Sequence, residues 1–211
     1  MFMKKILIAD NHPAMRRGVK LILSNEFSEV EFGEASTSEE VFVKVKEKNW
    51  DIIILDMEMP GRCGLEVCRQ LKEEQTKIPV LLFSEQPESQ TGIRAFRAGA
   101  CGYLSKEAAD VELQKAVQHI LSGRKYITSS LAELLAEHLE NPQSKLPHEL
   151  LSDREYQTFI LIAKGKTISQ IAQELSLSVP TISTFRQRIL GKMAMKTNAA
   201  LTHYAVKNNL V

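Results

Sequence analysis

The chain's 211 residues, 44% hydrophobic and 25% charged, are more than one small domain needs and too apolar for disorder to be the default. No apolar run approaches the ~18–20 residues of a membrane span, and the short run after Lys5 is too brief for a signal-peptide core, so a cytoplasmic chain is expected. The net charge of +1 hides an asymmetry, since residues 1–147 sum to −3 and residues 148–211 to +4, which points the C-terminal part toward a polyanion.

Residues 1–121 alternate short apolar runs with amphipathic helical stretches. The runs are Lys5–Ala9, Val30–Ala35, Asp51–Leu55, Pro79–Phe83 and Ala100–Leu104. Ile52-Ile53-Ile54-Leu55 and Val80-Leu81-Leu82-Phe83 are apolar without alternation, as strands covered on both faces require. Between the runs, Thr37 and Glu40 stand at capping-box spacing, and Leu65, Val67, Cys68 and Leu71 form a helical stripe. Five such units predict an α/β fold with a doubly wound, five-stranded parallel sheet. Its ligand site should lie at the C-terminal strand ends, near the switch point. Cys63, Cys68 and Cys101 lack metal-type spacing with histidine and fit a reducing compartment.

Residues 122–147 read as a joint, with Thr128–Leu139 helical and the stretch from Asn141 to Pro147 a linker. Beyond it the pattern is wholly helical. Ser152 and Glu155 are spaced as a capping box for a helix ending near Gly165, and Thr167 and Gln170 open a second. Ile168, Ile171, Ala172 and Leu175 give that second helix its buried stripe. After a break at 176–180, a third helix turns Ile182, Phe185, Ile189 and Met193 inward; Thr197 caps a fourth that buries Leu201, Tyr204 and Ala205. Residues 148–211 therefore predict a smaller all-α domain.

Five polar side chains fall where the predicted strands end: Asp10 and Asn11 after the first, Asp56 after the third, Ser84 after the fourth and Lys106 after the fifth. A lone aspartate there is ordinarily a turn or cap residue. In a parallel sheet, however, these ends share one edge, and five together are hard to produce by chance. A carboxylate can attack phosphorus and form an aspartyl phosphate. Because both reactants are anionic, the step needs a divalent cation and a fixed ammonium to offset the charge.

The segments Ile8-Ala9-Asp10-Asn11-His12-Pro13, Leu55-Asp56-Met57 through Met59-Pro60-Gly61, Phe83-Ser84 and Gly102-Tyr103-Leu104-Ser105-Lys106 resemble the response-regulator receiver. Leu151-Ser152, Arg154-Glu155, Ile171-Ala172 and Thr181-Ile182 resemble the LuxR-type helix-turn-helix of the NarL/FixJ class. Ile182-Ser183-Thr184-Phe185-Arg186 is also similar to the BvgA/EvgA branch. The resemblance covers nearly the whole chain. It implies that 1–121 is a receiver, 122–147 a linker with a helix, and 148–211 a DNA-binding domain. Asp56 is implied as the phosphoacceptor of a sensor histidine kinase. Mg²⁺ would sit on Asp10, Asn11, Asp56 and a backbone carbonyl near Met57 or Glu58. Lys106 would supply the ammonium, Ser84 a hydroxyl for the phosphoryl group, and Tyr103 an aromatic switch, where composition alone would make it an ordinary core residue. One departure is evident: the family usually carries an acid where Asn11 stands. An amide oxygen still ligates a hard cation, but a negative charge is lost, and control without phosphorylation becomes the alternative reading.

A helix-turn-helix lays its second helix in the major groove. With Ile182, Phe185 and Ile189 inward, Ser183, Thr184, Gln187 and Arg188 face partly or wholly out. Gln187 can pair bidentately with adenine, and Ser183 and Thr184 can touch bases or thymine methyls. Thr181, Arg186, Arg188 and Lys192 suit phosphates. A reader of this size is expected to act on double-stranded promoter DNA as a homodimer. The rival readings are a protein-binding module without phosphorylation and a small phosphohydrolase using Asp56. The second lacks a nearby acid/base partner and a Gly-rich phosphate loop, so an enzyme acting on a separate substrate is not expected.

Overall fold

The computed structural model of the protein describes residues 3–140 and 146–211. The chain divides into two compact units at 138/139, so most of the helix expected in the joint belongs with the first unit. Residues 141–145 of the expected linker lie outside the described residues.

In the first unit, apolar runs too dense for one-sided burial pair into a single parallel sheet. Its strands are β1 (Lys4–Ala9), β2 (Val30–Ala35), β3 (Ile52–Asp56), β4 (Val80–Ser84) and β5 (Gly102–Ser105), in the order β2-β1-β3-β4-β5. Alternate residues of each strand feed opposite cores. Leu7, Ile53, Leu55 and Leu82 meet α2 (Ser38–Glu47), α3 (Gly64–Glu73) and α4 (Glu88–Ala98). Ile6, Ile8, Ile52, Ile54, Leu81 and Phe83 meet α1 (Pro13–Ser24) and α5 (Ala109–Leu121). The helical stripe Leu65, Val67, Cys68, Leu71 is buried as expected.

Expected strand boundaries move by one or two residues, and at the C-terminal ends of β3, β4 and β5 they do so for a physical reason. The third and fourth strands were expected to stop at their last apolar residue, yet Asp56 stays in register with Phe83 and Ser84 with Ser105. A ladder ends where the backbone turns, and a polar side chain does not end it. The expected capping box at Thr37 is half formed. Thr37 Oγ1 accepts the Glu40 N–H at 3.2 Å, but the Glu40 carboxylate reaches past Thr37 to the Ser36 N–H, at 2.7 Å.

After α5 comes α6 (Ser129–Glu140), and the second unit holds α7 (Asp153–Ala163), α8 (Ile168–Glu174), α9 (Val179–Lys192) and α10 (Asn198–Lys207). Both expected capping boxes form, Ser152 with Glu155 and Thr167 with Gln170. Ile171, Ile182, Ile189, Leu201 and Ala205 close the core, with Phe185 and Tyr204 half-buried at its margin. Among the described residues no helix is long and apolar enough to cross a membrane.

Glu155 braces this core. Its Oε2 accepts the Ser152 N–H at 2.7 Å and the Lys192 Nζ at 2.6 Å, tying the start of α7 to the end of α9. Burial alone would raise this carboxyl, but the Lys192 ammonium and the Ser152 contacts outweigh it and hold it below its ordinary 4.5. The resulting stabilisation is fully present above 4.5 and is lost as pH falls from there through the lowered value. Glu155→Gln should cost roughly 1–2 kcal/mol at neutral pH, since Lys192 is partly solvated and its share is screened. The difference between the two proteins should shrink as pH falls below 4.5. Thermal melts across that range check this, and a pH-independent difference would refute it.

Candidate functional sites

The topology brings the acidic residues together. β1 lies between β2 and β3, so the chain leaves it in opposite directions and a crevice opens at the C-terminal ends of β1 and β3. Asp10 follows β1 and Asp56 ends β3, and they are 2% and 1% exposed. Lys106 follows β5. Its side chain, 6% exposed, places Nζ 2.8 Å from Asp10 Oδ2 and 3.1 Å from Asp56 Oδ2. The first contact is a hydrogen bond; the second is ionic, without hydrogen-bond geometry. Asp56 Oδ1 accepts the Glu58 N–H at 3.2 Å.

Two buried carboxylates thus share one ammonium. Burial pushes Asp56 up to about 6; Lys106 opposes the rise and Asp10 adds to it. For Lys106, burial favours the neutral amine, but attraction to Asp56 and Asp10 prevails and its value is raised, so it stays charged.

The donor set fits a hard cation. Asn11 Oδ1 is a buried oxygen with no hydrogen-bond donor. Asp10, His12 and Asp56 each offer a ligand atom, all within 4.8 Å of one another. In the sequence His12 stood only as part of the receiver-like segment and was not named as a ligand. Its N–H and ring Nδ1 both approach Asp10 Oδ1, at 2.7 and 3.2 Å. Of the two candidate carbonyls, that of Met57 already accepts the Gly64 N–H at 3.0 Å, which leaves Glu58. A Cβ on Gly64 would lie 2.4 Å from the Asp56 carbonyl oxygen, so only glycine lets α3 start this close to the pocket.

Beside the pocket, the Ser84 hydroxyl is wholly buried and accepts the Gln86 N–H at 3.1 Å. Tyr103 is turned inward and buried. Its hydroxyl donates to the Gln86 carbonyl at 2.7 Å and accepts from Thr91 Oγ1 at 2.6 Å. Gln86 and Thr91 carried no signal in the sequence. An amide in a loop and a threonine in a helix acquire a role only when β5 lands beside α4.

In the second unit, α8 and α9 are joined by a turn in which Ser176 adopts φ +53° and the Leu177 N–H returns to the Ala172 carbonyl at 2.8 Å. Ser178 caps α9 by accepting the Thr181 N–H, and Pro180 sits in its first turn. The seven residues expected to face DNA divide into two groups. Gln187 and Arg188 are exposed, Ser183 is half-buried, and none of the three has a hydrogen-bond or ionic partner among the described residues. The other four are already engaged. Thr181 Oγ1 lies 2.7 Å from Ser178 Oγ, and Thr184 Oγ1 donates to the Pro180 carbonyl at 3.0 Å. Arg186 Nε donates to Asn198 Oδ1 at 2.6 Å, and Lys192 holds Glu155. The helical wheel turned Ser183, Thr184, Gln187 and Arg188 outward and residue type assigned Thr181, Arg186 and Lys192 to phosphates, but neither could show that α7 and α10 supply partners for two of the cations.

Comparison with known proteins agrees with both halves. Residues 6–118 match the family described as "Response regulator receiver domain", and residues 149–205 match "Bacterial regulatory proteins, luxR family". The "Response regulator UvrY" of Escherichia coli (strain K12) is 32% identical over 209 residues, covering 99% of this chain and 96% of the relative. The "Transcriptional activator protein ExaE" of Pseudomonas putida is 34% identical over 208 residues, covering 98% and 97%. Among solved structures, the RcsB response regulator of Salmonella typhimurium superposes with a TM-score of 0.70 at 21% identity, covering 98% of each chain.

Proposed function

The chain belongs to the response-regulator family, with a receiver and a LuxR-type DNA-binding domain, and from that premise we propose that it takes a phosphoryl group from a sensor histidine kinase onto Asp56 and, so modified, binds promoter DNA as a homodimer. The observation that carries this reading is the convergence of Asp10, Asp56 and Lys106 in one buried pocket. In the transfer, an Asp56 carboxylate oxygen forms a bond to phosphorus. The bond to the donor's imidazole nitrogen breaks, and its electron pair leaves on that nitrogen. Lys106 offsets the charge gathered in the pocket, and the Ser84 hydroxyl is placed to hydrogen-bond a phosphoryl oxygen. Asp10, Asn11, Asp56 and the Glu58 carbonyl would hold Mg²⁺, which when bound would neutralise phosphoryl oxygens. Tyr103 follows Ser84 through Gln86. No turnover of a separate substrate is proposed, and three free cysteines suit the cytoplasm.

For the DNA, α9 would enter the major groove with Gln187, Ser183 and Thr184 toward bases and Arg188 toward phosphate. Thr181, Arg186 and Lys192 would reach phosphates only at the cost of their present partners. An RcsB structure is described as two dimers bound to two parallel DNAs. For this chain, α10 and a face of the receiver are the candidate dimer contacts, and α10 has outward side chains to offer. There Leu201 and Ala205 are committed to the core, leaving His203, Val206 and Lys207 outward. Incubation with Mg²⁺ and acetyl phosphate tests the whole reading. A stable phosphoprotein with tighter DNA binding and a larger scattering mass supports it; no reaction, or multiple turnover, refutes it.

Asn11 has a measurable consequence of its own. A carboxylate in its place would add a charge at coordination distance, where solvent screens poorly. Asn11→Asp should bind Mg²⁺ more tightly, by at least about tenfold if the added attraction exceeds ~1.4 kcal/mol, and should phosphorylate faster at limiting metal. Identical Mg²⁺ titrations for the two proteins would show that Asn11 is incidental.

A further inference from the structure

On one side the acidic pocket holds a group that phosphoryl transfer does not need. Lys106 Nζ lies against the Oδ2 atoms of both aspartates, 2.8 Å from Asp10 and 3.1 Å from Asp56. Each Oδ1 atom meets a backbone donor, the His12 N–H at 2.7 Å on Asp10 and the Glu58 N–H at 3.2 Å on Asp56. At Asp10 Oδ1 also stands the His12 ring, with Nδ1 3.2 Å away. His12 is the N-cap of α1, in the extended region, with Pro13 following it. A residue before proline is held to that region, so the backbone aims the ring without packing it. The His12 side chain is 62% exposed and that of Asp10 2%. An imidazole therefore stands at the mouth of a buried acidic pocket with Nδ1 turned inward.

The spacing suits two ligands of one ion. Ligands at ~2.1 Å from a shared cation stand ~3.0 Å apart at a right angle and ~3.4 Å apart at the tetrahedral angle. The separation of Nδ1 and Asp10 Oδ1 falls between these values. Asp56 offers a third atom within 4.8 Å of the others, and Asn11 Oδ1 is a buried acceptor without a donor. The donor chemistry then favours one class of ion. Mg²⁺ takes oxygen ligands and gains most from carboxylates, so the neutral Asn11 weakens its hold. Imidazole compensates only for a cation that accepts nitrogen, such as Co²⁺, Ni²⁺ or Zn²⁺. In the tautomer protonated at Nε2, Nδ1 has a lone pair to give.

We infer that His12 is a ligand of this pocket for nitrogen-accepting divalent cations, binding through Nδ1 beside Asp10 and Asp56. The inference rests on the pocket being a cation site, as proposed above, and on none of the phosphoryl chemistry. It makes the occupant of the phosphoacceptor pocket depend on the divalent ion supplied: Mg²⁺ is held by oxygens alone, a transition ion by oxygens and His12.

Titrations of the full chain with CoCl₂ and with MgCl₂, in the absence of any phosphodonor, test this. Calorimetry reads both affinities, and paramagnetically shifted imidazole resonances read nitrogen ligation of Co²⁺ directly. His12→Ala should weaken Co²⁺ by at least about tenfold, the scale on which even an outer partner of a metal ligand matters, and Mg²⁺ by less than about twofold. The shifted ring signal should vanish with it. The fold should survive, because the ring is exposed and the backbone N–H on Asp10 remains. His12→Gln, which can still donate a hydrogen bond to Asp10 but offers no ring nitrogen, should lose Co²⁺ as His12→Ala does. Asp10→Asn should weaken both ions, which places the Co²⁺ here and not on the chain's other histidines. Equal losses of Co²⁺ and Mg²⁺ in His12→Ala, or a His12→Gln chain that binds Co²⁺ like the parent, overturn the inference and leave the Mg²⁺ pocket standing. A parent chain that binds neither ion overturns the pocket reading beneath it, and the inference with it.

Discussion

An Asp56→Asn protein should gain no phosphate from acetyl phosphate in the presence of Mg²⁺, and its DNA affinity should no longer respond to the donor. An amide has no anionic oxygen to attack phosphorus, and no other carboxylate is held 3.1 Å from Lys106 Nζ at a strand end. Asp10 is close, but its oxygens are occupied by Lys106, the His12 N–H and the His12 ring. The loss should come without damage to the fold. Asp56 is buried beside Asp10 and its carboxyl is raised from 3.8 to about 6, so its ionisation opposes folding in the metal-free chain. Stability from this group is fully present below 3.8 and is lost as pH rises through about 6. Removing the charge should therefore raise metal-free stability near neutral pH by about 1–3 kcal/mol, with the gain fading toward pH 4. Mass spectrometry and thermal melts on the same samples check both halves. Undiminished labelling of Asp56→Asn at a carboxylate would sink the assignment.

Arg188→Ala and Gln187→Ala should fail in different ways. Both side chains are exposed on α9 and neither has a partner among the described residues, in contrast to Arg186 and Lys192. A phosphate contact is indifferent to sequence and releases a counterion. Losing it weakens specific and random DNA alike and flattens the slope of log K against log salt by roughly one. A base contact is made only at the cognate site, so losing it costs ~1–3 kcal/mol there and little elsewhere. Arg188→Ala should show the first profile and Gln187→Ala the second. Arg186→Ala should add a loss of stability, because Asn198 at the start of α10 loses its donor. Titrations of cognate and random duplex at several salt concentrations separate these outcomes. If Gln187→Ala and Arg188→Ala behave identically, the division of labour is wrong; if neither changes binding, α9 does not enter the groove.

Much of this protein is determined by local pattern. Runs such as Ile52-Ile53-Ile54-Leu55 leave a strand no polar face, so they demand a sheet covered on both sides. Capping signals at Ser152, Thr167 and Thr197 are satisfied within three residues, which is why the helices of the second unit are legible without any tertiary information. The polar residues at strand ends follow from the same logic, because parallel strands bring their C-terminal ends to one edge whatever the rest of the chain does. Asp10, Asp56, Ser84 and Lys106 could be named from their place after apolar runs.

What only the tertiary structure decided is which of these groups already have partners. Lys192 and Arg188 look alike on a helical wheel, yet one braces Glu155 across 37 residues of chain and the other has no partner among the described residues. Gln86, Thr91 and Glu88 are unremarkable in the sequence and become links because α4 packs beside β5 and beneath α6. Even the expected linker helix proved to be anchored, through a leucine that needs a glycine on a different helix to make room for it. Periodicity reports whether a side chain faces in or out. The identity of its neighbour depends on contacts between segments far apart in the chain, and those exist only once the sheet and its helices have closed.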